Sequence, residues 1–505
     1  MINKVIANNK IELIIFICIC LSRLIVADFS NSFHSVDVGN YILAVYDYNI
    51  ALDRPHMPGY FLYVYFFKFL TFFFSNSNAL FVVGQIFFQA LSSIFIYKII
   101  KKKFDLKYNI LIIAFIYSIP MIYFYGIISE IYSVELLTIS VFLYLIHKDK
   151  VSLILPFMAI VFGLRQSSGI FLVPAIIYIY YYHFKYKNYK IKHLIISLLI
   201  FTFICLLWFI PLVNSTGGFT SYLDLLSKQN EYVNSIKFIN NLISFITYSF
   251  FYIIPISFVL ILSKRKDEFK LTYLNTTFIL IIVPQLLFYI FYHYNKGYAL
   301  LFLPALVIFI MVNYKVKSKI ILIATIFNLS VFYFLPGNIP SYNTQIKREY
   351  RDKSVVEVWA ERFQFWWLPT LSSHDVSIVL HNDIENNRDN IYNVIQNNVL
   401  FIDNSLIARG RNISYILPKA VIIERTYLDF ESYDRHFGYK DYTHRKDLSN
   451  IMNNGYVLIN KEYYEKFYTQ IADIVLNLEY YYIIKVKESK MNEFLTINYE
   501  HFGYL

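Results

Sequence analysis

The sequence predicts an α-helical polytopic membrane protein with about eleven transmembrane helices and a C-terminal extracytoplasmic α/β domain. Three observations carry this reading. Of 505 residues, 57% are hydrophobic and only 16% are charged, against about 25% charged in ordinary soluble domains. Long apolar runs recur up to residue 336 and then stop. Lys and Arg concentrate in every second connection between those runs. The composition excludes a disordered chain, a collagen-like fibre and an ordinary cytosolic enzyme. The 47 Tyr and 48 Phe accompany abundant Ile, Asn and Lys, a pattern of codon bias, and carry little functional weight.

A transmembrane helix needs about 20 apolar residues. Eleven candidate spans satisfy this with soft edges: 11–27, 79–100, 108–126, 131–147, 151–164, 168–183, 194–213, 242–262, 271–292, 298–313 and 320–336. The first is not a cleaved signal peptide, because Cys18-Ile19-Cys20 offers no small-residue cleavage site and Arg23 interrupts its end. With the N-terminus cytoplasmic, the inner connections hold 20 Lys/Arg residues. The outer segments up to residue 336 hold seven: Arg23, Arg54, Lys68, Arg165, Lys228, Lys237 and Lys296. That asymmetry obeys the positive-inside rule. The net charge of +11 is therefore largely topological, and nucleic acid is not an expected partner. Lys101-Lys102-Lys103 and Lys264-Arg265-Lys266 read as cytoplasmic anchors. The expected location is the plasma (cell inner) membrane, with the C-terminal domain outside the cytoplasm.

Residues 57–74 are also apolar, but a crossing there would turn every later Lys-rich loop outward. Met57–Phe74 is thus expected as an amphipathic or re-entrant helix on the outer surface, with Lys68 snorkelling. The outer loops 28–78 and 214–241 are long. Residues 1–336 form the expected transmembrane domain and 337–505 the outer domain. In the latter, short β-like runs (Val376–Leu380, Val399–Ile402, Val421–Ile423, Tyr456–Ile459, Tyr482–Val486) alternate with helical patterns such as Lys461–Leu478. Cys18, Cys20 and Cys205 lie in apolar runs, so neither a disulfide framework nor a cysteine zinc site is expected.

The first outer loop carries Asp28, Asp37, Asp47 and Asp53, followed by Arg54-Pro55-His56-Met57-Pro58-Gly59-Tyr60. The prolines stiffen the chain and Gly59 permits a tight approach. Such a loop serves either a functional site or plain solubility. Further along stand Ser129-Glu130-Ile131-Tyr132-Ser133-Val134-Glu135, Gly163-Leu164-Arg165-Gln166-Ser167, Trp208-Phe209-Ile210-Pro211 with Gly217-Gly218 and Tyr222, His293-Tyr294-Asn295-Lys296-Gly297-Tyr298 before Pro304, and Tyr415-Ile416-Leu417-Pro418.

In this order and on this membrane side, these elements resemble the GT-C superfamily of integral-membrane glycosyltransferases. That superfamily includes the protein O-mannosyltransferases and the bacterial aminoarabinose and related lipid-linked sugar transferases. The resemblance covers residues 1–336 well and the tail weakly. It implies a GT-C-like fold and a catalytic base at Asp37, with Asp28 the rival position. The Arg54–Tyr60 element matches the family's His-Pro-Pro-Gly-type element with Met at one Pro. The wider superfamily's metal-dependent oligosaccharyltransferases use an Asp-X-Asp or Glu-X-Asp pair. None occurs in 28–60, so no metal and no cofactor is expected.

The chemistry fits. A polyprenyl-phosphate sugar leaves behind a phosphate monoester, stable as an anion because its second pKa is about 6. It needs cations more than a proton donor. Arg165, Lys296, Arg54, His56 and His293 all map to the outer side, and arginine grips phosphate in bidentate fashion. The acceptor hydroxyl needs a base, which a carboxylate in a partly desolvated cleft supplies. One base opposite the leaving group implies inversion. Each residue has a plainer alternative. Asp37 is otherwise a helix N-cap or a solvated loop residue, and Arg165 an interface anchor. Glu130 is otherwise a helix cap, and His56, His293 and Lys296 interface residues.

The expected function is an inverting hexosyl- or pentosyltransferase. It moves a sugar from a polyprenyl-phosphate carrier to a glycan, lipid or protein acceptor, with Glu130 and His56 shaping the sugar site and membrane lipid as its surroundings. A polysaccharide polymerase or ligase acting on diphosphate-linked glycans is the enzymatic alternative. A lipid-linked glycan flippase or transporter is the non-enzymatic one. That last reading calls for ionisable residues at mid-membrane depth and paired broken helices.

Overall fold

The computed structural model describes residues 2–27, 29–30, 36–52, 54–75, 78–235, 238–266, 272–293, 296–335, 369–396, 398–402, 413, 416–425, 430–434, 438–442 and 455–494. The chain divides into two compact units. One comprises Met1–Asp28, Ala44–Pro336 and Leu368–Ser372, the other Phe29–Leu43, Gly337–Trp367 and Ser373–Leu505.

The first unit is helical. Each candidate span falls on a helix, from Ile2–Leu24 to Ser318–Phe334. Asn78–Ile100, Ile191–Ser215 and Tyr273–Phe291 are long and apolar enough to cross a membrane, with shorter apolar helices beside them. Ile191–Ser215 leaves Leu199, Phe203 and Leu207 more than half exposed, as expected of a helix whose solvent is lipid. Two expected spans are broken. Run 108–126 divides into Leu106–Ser118 and Pro120–Phe124, because Pro120 cannot donate an in-helix hydrogen bond and opens a new helix instead. Run 298–313 begins as the 3₁₀ helix Lys296–Leu301 and turns α-helical at Leu303, next to Pro304. The stretch 57–74 contains the helix Phe61–Leu70. Loop 28–78 also holds a helix that the residue pattern does not announce, Val36–Tyr46. Loop 214–241 holds Phe219–Ser235.

Polar side chains tie this bundle together where its helices are most buried. Gln89, wholly buried, donates to the Ile122 carbonyl at 2.6 Å and the Ser133 hydroxyl at 3.2 Å. It accepts from Arg23 Nε at 3.2 Å. Arg23, 1% exposed, also donates to the Tyr117 carbonyl at 2.6 Å and lies 3.8 Å over the Tyr123 ring. A buried cation persists only with such partners. The Lys-rich connections gather at one end of the unit. There Lys98 and Lys101 grip Glu12 at 3.2 and 2.8 Å. Asp149 holds Lys187 at 3.6 Å, and the short strands β1 (Lys264–Arg265) and β2 (Tyr314–Lys315) pair antiparallel.

The second unit contains a mixed sheet built from β3 (Val399–Ile402), β4 (Val421–Arg425), β5 (Phe430–Asp434), β6 (Gly438–Tyr442), β7 (Tyr456–Asn460), β8 (Ala472–Asn477) and β9 (Tyr481–Val486). Its order is β6-β5-β4-β3-β7-β9-β8. β3 runs parallel to β4 and β7, and the remaining pairs are antiparallel. Side chains alternate between two cores. Leu400, Ile402, Ile422 and Leu458 meet Ile384, Ile391 and Ile395 on one face. Phe401, Ile423, Val457 and Ile459 meet Tyr463, Tyr468 and Phe494 on the other. Burial on both faces is why β3 and β7 read as unbroken apolar runs.

Two expectations for the tail are corrected. Val376–Leu380 is not a strand but part of the helix Leu371–Asn386. A short apolar run does not distinguish the two by periodicity. The pattern Lys461–Leu478 is not one helix: it ends at Phe467, and Ala472–Asn477 pairs with β9 at the sheet edge. The buried Asp383 accepts the backbone N–H groups of Glu479 and Tyr480 at 3.0 and 2.8 Å, which fixes the β8–β9 turn to that first helix.

Candidate active site

The first unit builds its charged centre at a break between two helices. Ile154–Leu164 ends and Gln166–Tyr186 begins on either side of Arg165, whose backbone is extended at φ −157°, ψ 109°. That kink turns a 6%-exposed side chain inward. Its Nη1 meets Glu135 Oε1 in an ion pair, and Ser168 Oγ donates to the same oxygen at 3.0 Å. The guanidinium also lies 4.9 Å from the Tyr132 ring centre and 4.6 Å from that of Tyr298. These distances are within cation–π range. Glu135 Oε2 is buried with no hydrogen-bond partner among the described residues. Arg165 is thus a buried, held cation, whose charge acts with little screening.

His293 follows the helix Tyr273–Phe291, its ring edge-on to Tyr298 at 5.7 Å. Burial, with the charge of Arg165 beside it, pushes its pKa down from 6.5 to about 4. The imidazole is therefore neutral at pH 7. Unfolding returns it to its ordinary value, so the stability it confers is complete above pH 6.5 and falls as the pH drops toward about 4. His293→Gln should flatten the dependence of Tm on pH across that window, read by thermal unfolding in detergent. An unchanged slope would mean that another group sets it.

Gly297 explains how Tyr132 and Tyr298 come so close. A Cβ at that position would clash with the Tyr132 ring. Gly297→Ala should therefore destabilise the protein by about 1–3 kcal/mol through overpacking and shift the ring that covers Arg165. Thermal unfolding beside the wild type checks this. Glu130 is buried, 6% exposed. Its charge bears on Tyr63 and Tyr132, as does that of Arg165 on Tyr132.

The Arg54–Tyr60 element joins this region through Gln166, whose Nε2 donates to the Pro58 carbonyl at 3.3 Å. Arg54 is buried. It pairs with Asp47 at 3.1 Å, and its backbone bridges Asn49. His56 shares a hydrogen bond with the Tyr60 hydroxyl at 3.1 Å. Gly59 has φ 107°, and a Cβ there would lie 2.6 Å from Ile50 Cδ1. Only glycine turns the chain so tightly at that point. Met57 and Phe61 then pack with Ile50, Trp208, Leu212 and Tyr222, so residues of segments 28–78 and 214–241 share one apolar cluster.

Arg165, Glu130 and His293 accordingly surround one pair of tyrosines, and Arg54 and His56 sit on the element bound to Gln166. Lys296 opens the 3₁₀ helix, and its side chain lies outside the described residues, as do Asp28, Asp53 and Tyr415. Asp37 is half-buried in the first turn of Val36–Tyr46, one residue inside the helix and past the N-cap position. It belongs to the second unit. Glu135 and Tyr298 are not among the site residues expected from the sequence. The i, i+3 spacing of Tyr132 and Glu135, which puts both on one helical face, was the available signal. No three His, Cys, Asp or Glu side chains converge as a metal site among the described residues.

The chain thus combines a unit of apolar helices, broken at Arg165, with a mixed α/β unit. The chain superposes on the crystal structure of ArnT from Cupriavidus metallidurans bound to undecaprenyl phosphate, with a TM-score of 0.57 at 10% identity. The match covers 95% of this chain and 98% of that one. The crystal structure of the same protein in the apo state matches with a TM-score of 0.57 at 11% identity over 96% and 98% of the two chains. At this identity the likeness is one of fold. No protein-family model and no curated protein sequence matches the chain.

Proposed function

We propose that the protein is an inverting glycosyltransferase. It takes one sugar from a polyprenyl-phosphate carrier and passes it to an acceptor hydroxyl at the non-cytoplasmic membrane face. The observation that carries this reading is the buried Arg165, held by Glu135 and covered by Tyr132 and Tyr298, in a fold shared with a protein crystallised with undecaprenyl phosphate. In this reading Arg165, with Arg54 and Lys296, holds the carrier phosphate. His293 stays neutral and offers a hydrogen bond without adding charge. Glu130 and His56 line the sugar pocket. Asp37 is the base: it takes the proton of the acceptor hydroxyl as that oxygen attacks the anomeric carbon. The bond from that carbon to the phosphate oxygen breaks, and the phosphate leaves as an anion.

The apolar helices hold the carrier's tail in lipid. The second unit selects the acceptor from outside the cytoplasm. A strain lacking the gene should accumulate the sugar-loaded carrier and lose one sugar from a glycan or lipid, both read by mass spectrometry. Unchanged lipid-linked sugars together with an intact glycan profile would reject the proposal.

A further inference from the structure

At the end of the first unit away from Arg165, three connections converge. Tyr108, beside Phe104 with rings 5.0 Å apart, donates to the Val316 carbonyl at 2.9 Å. Lys266 donates from its backbone to Asn313 at 3.1 Å and from Nζ to Val312 at 2.7 Å. The helices Asn78–Ile100 and Tyr132–His147 pack side by side, with Phe95 and Tyr144 rings 5.3 Å apart. They end together at Lys101-Lys102-Lys103 and at Lys148, which stands 5.7 Å over the Tyr144 ring. The charges of Lys102, Lys103 and Lys148 all bear on His147.

The lysines at this end are neutralised unevenly. Glu12 serves Lys98 and Lys101, and Asp149 serves Lys187. Lys102, Lys103, Lys148 and Lys266 make no ion pair among the described residues. The protein packed round the Lys103 ammonium and the like charge of Lys266 hold its proton affinity below that of an ordinary lysine. Beside the cluster, Leu106 and Ile110 are 46% and 47% exposed on the helix Leu106–Ser118. Crowded cations next to exposed aliphatic side chains, in a membrane protein, are complementary to an anion that carries hydrocarbon.

We infer that Lys102, Lys103, Lys148 and Lys266 form a binding site for the phosphate headgroup of an anionic phospholipid, with its acyl chains along Leu106 and Ile110. This site is separate from sugar transfer and does not depend on that reading. It goes beyond general charge bias because it singles out four lysines from their equally basic neighbours.

The test is native mass spectrometry of the full chain with phosphatidylglycerol or phosphatidylcholine added. Wild type should retain phosphatidylglycerol roughly tenfold better than phosphatidylcholine. The variant K102Q/K103Q/K148Q/K266Q should lose that preference. The corresponding four-arginine variant should keep it, as should K185Q/K190Q/K192Q, which removes three exposed lysines from a neighbouring connection. If the four-glutamine protein does not fold, K103Q and K266Q alone should each weaken retention. Equal retention by wild type and the glutamine variants would overturn the site. So would displacement of the lipid by millimolar inorganic phosphate alone, which would make it a site for free phosphate.

Discussion

Asp37→Asn is expected to lower sugar transfer by about 10²–10⁴-fold while lowering the thermal midpoint only slightly. Asparagine keeps the size and most of the hydrogen bonding of aspartate, but it takes no proton from an attacking hydroxyl. The position of Asp37 sharpens this test. It lies in the first turn of Val36–Tyr46, where the positive end of the helix dipole favours a carboxylate by about 0.3–1 kcal/mol. If that structural role were its whole purpose, the substitution would cost a little stability and no chemistry. If Asp37 is the base, the losses are reversed: nearly all of kcat goes and KM for the carrier barely moves. Initial rates with membranes containing the loaded carrier, alongside thermal unfolding of the purified variant, separate the two.

Arg165→Ala is expected to produce the largest loss of stability. Its partner Glu135 is 3% exposed and Arg165 itself 6% exposed. Truncating one member of a buried ion pair leaves the other charge uncompensated, at a cost of about 3–5 kcal/mol. The single variant therefore confounds folding with function. The double variant Arg165→Met/Glu135→Leu removes both charges and replaces them with apolar bulk, which is often neutral for stability. On the present account it regains the wild-type midpoint but still fails to bind the polyprenyl-phosphate carrier. Carrier binding measured on that stable protein is the decisive readout. Wild-type affinity in the double variant would leave Arg165 as a structural anchor alone.

Much of the fold is legible in the residues because its strongest signals are long and repeated. Eleven apolar runs fall on helices, and the tail strands β3, β4 and β7 are found as short apolar runs between polar stretches. What escaped is local competition. Pro120 is the first residue of a helix and Pro304 the second residue of another, each inside a run that hydropathy reads as continuous. Ala472–Asn477 becomes an edge strand because β9 offers a ladder, a tertiary fact invisible in its own six residues. The site divides in the same way. Arg165, Glu130 and His293 are conspicuous as charged or titratable residues at the ends of apolar runs. That they gather round Tyr132 and Tyr298 depends on Gly297 allowing contact with the Tyr132 ring, and a lone glycine does not reveal its neighbour. Glu135 and Ser168 are likewise partners across helices, and Arg23 finds Gln89 and Tyr117 at sequence separations of 66 and 94. No periodicity reports such pairings.

The central claim is that a lipid phosphate departs as a sugar is transferred. The most direct measurement reconstitutes the purified chain in vesicles with a polyprenyl-phosphate sugar and an extract of acceptors, and follows the carrier by mass spectrometry. Free polyprenyl monophosphate should appear in step with glycosylated acceptor, both abolished by Asp37→Asn. A carrier that stays loaded, or that crosses the bilayer with its sugar still attached, would contradict it.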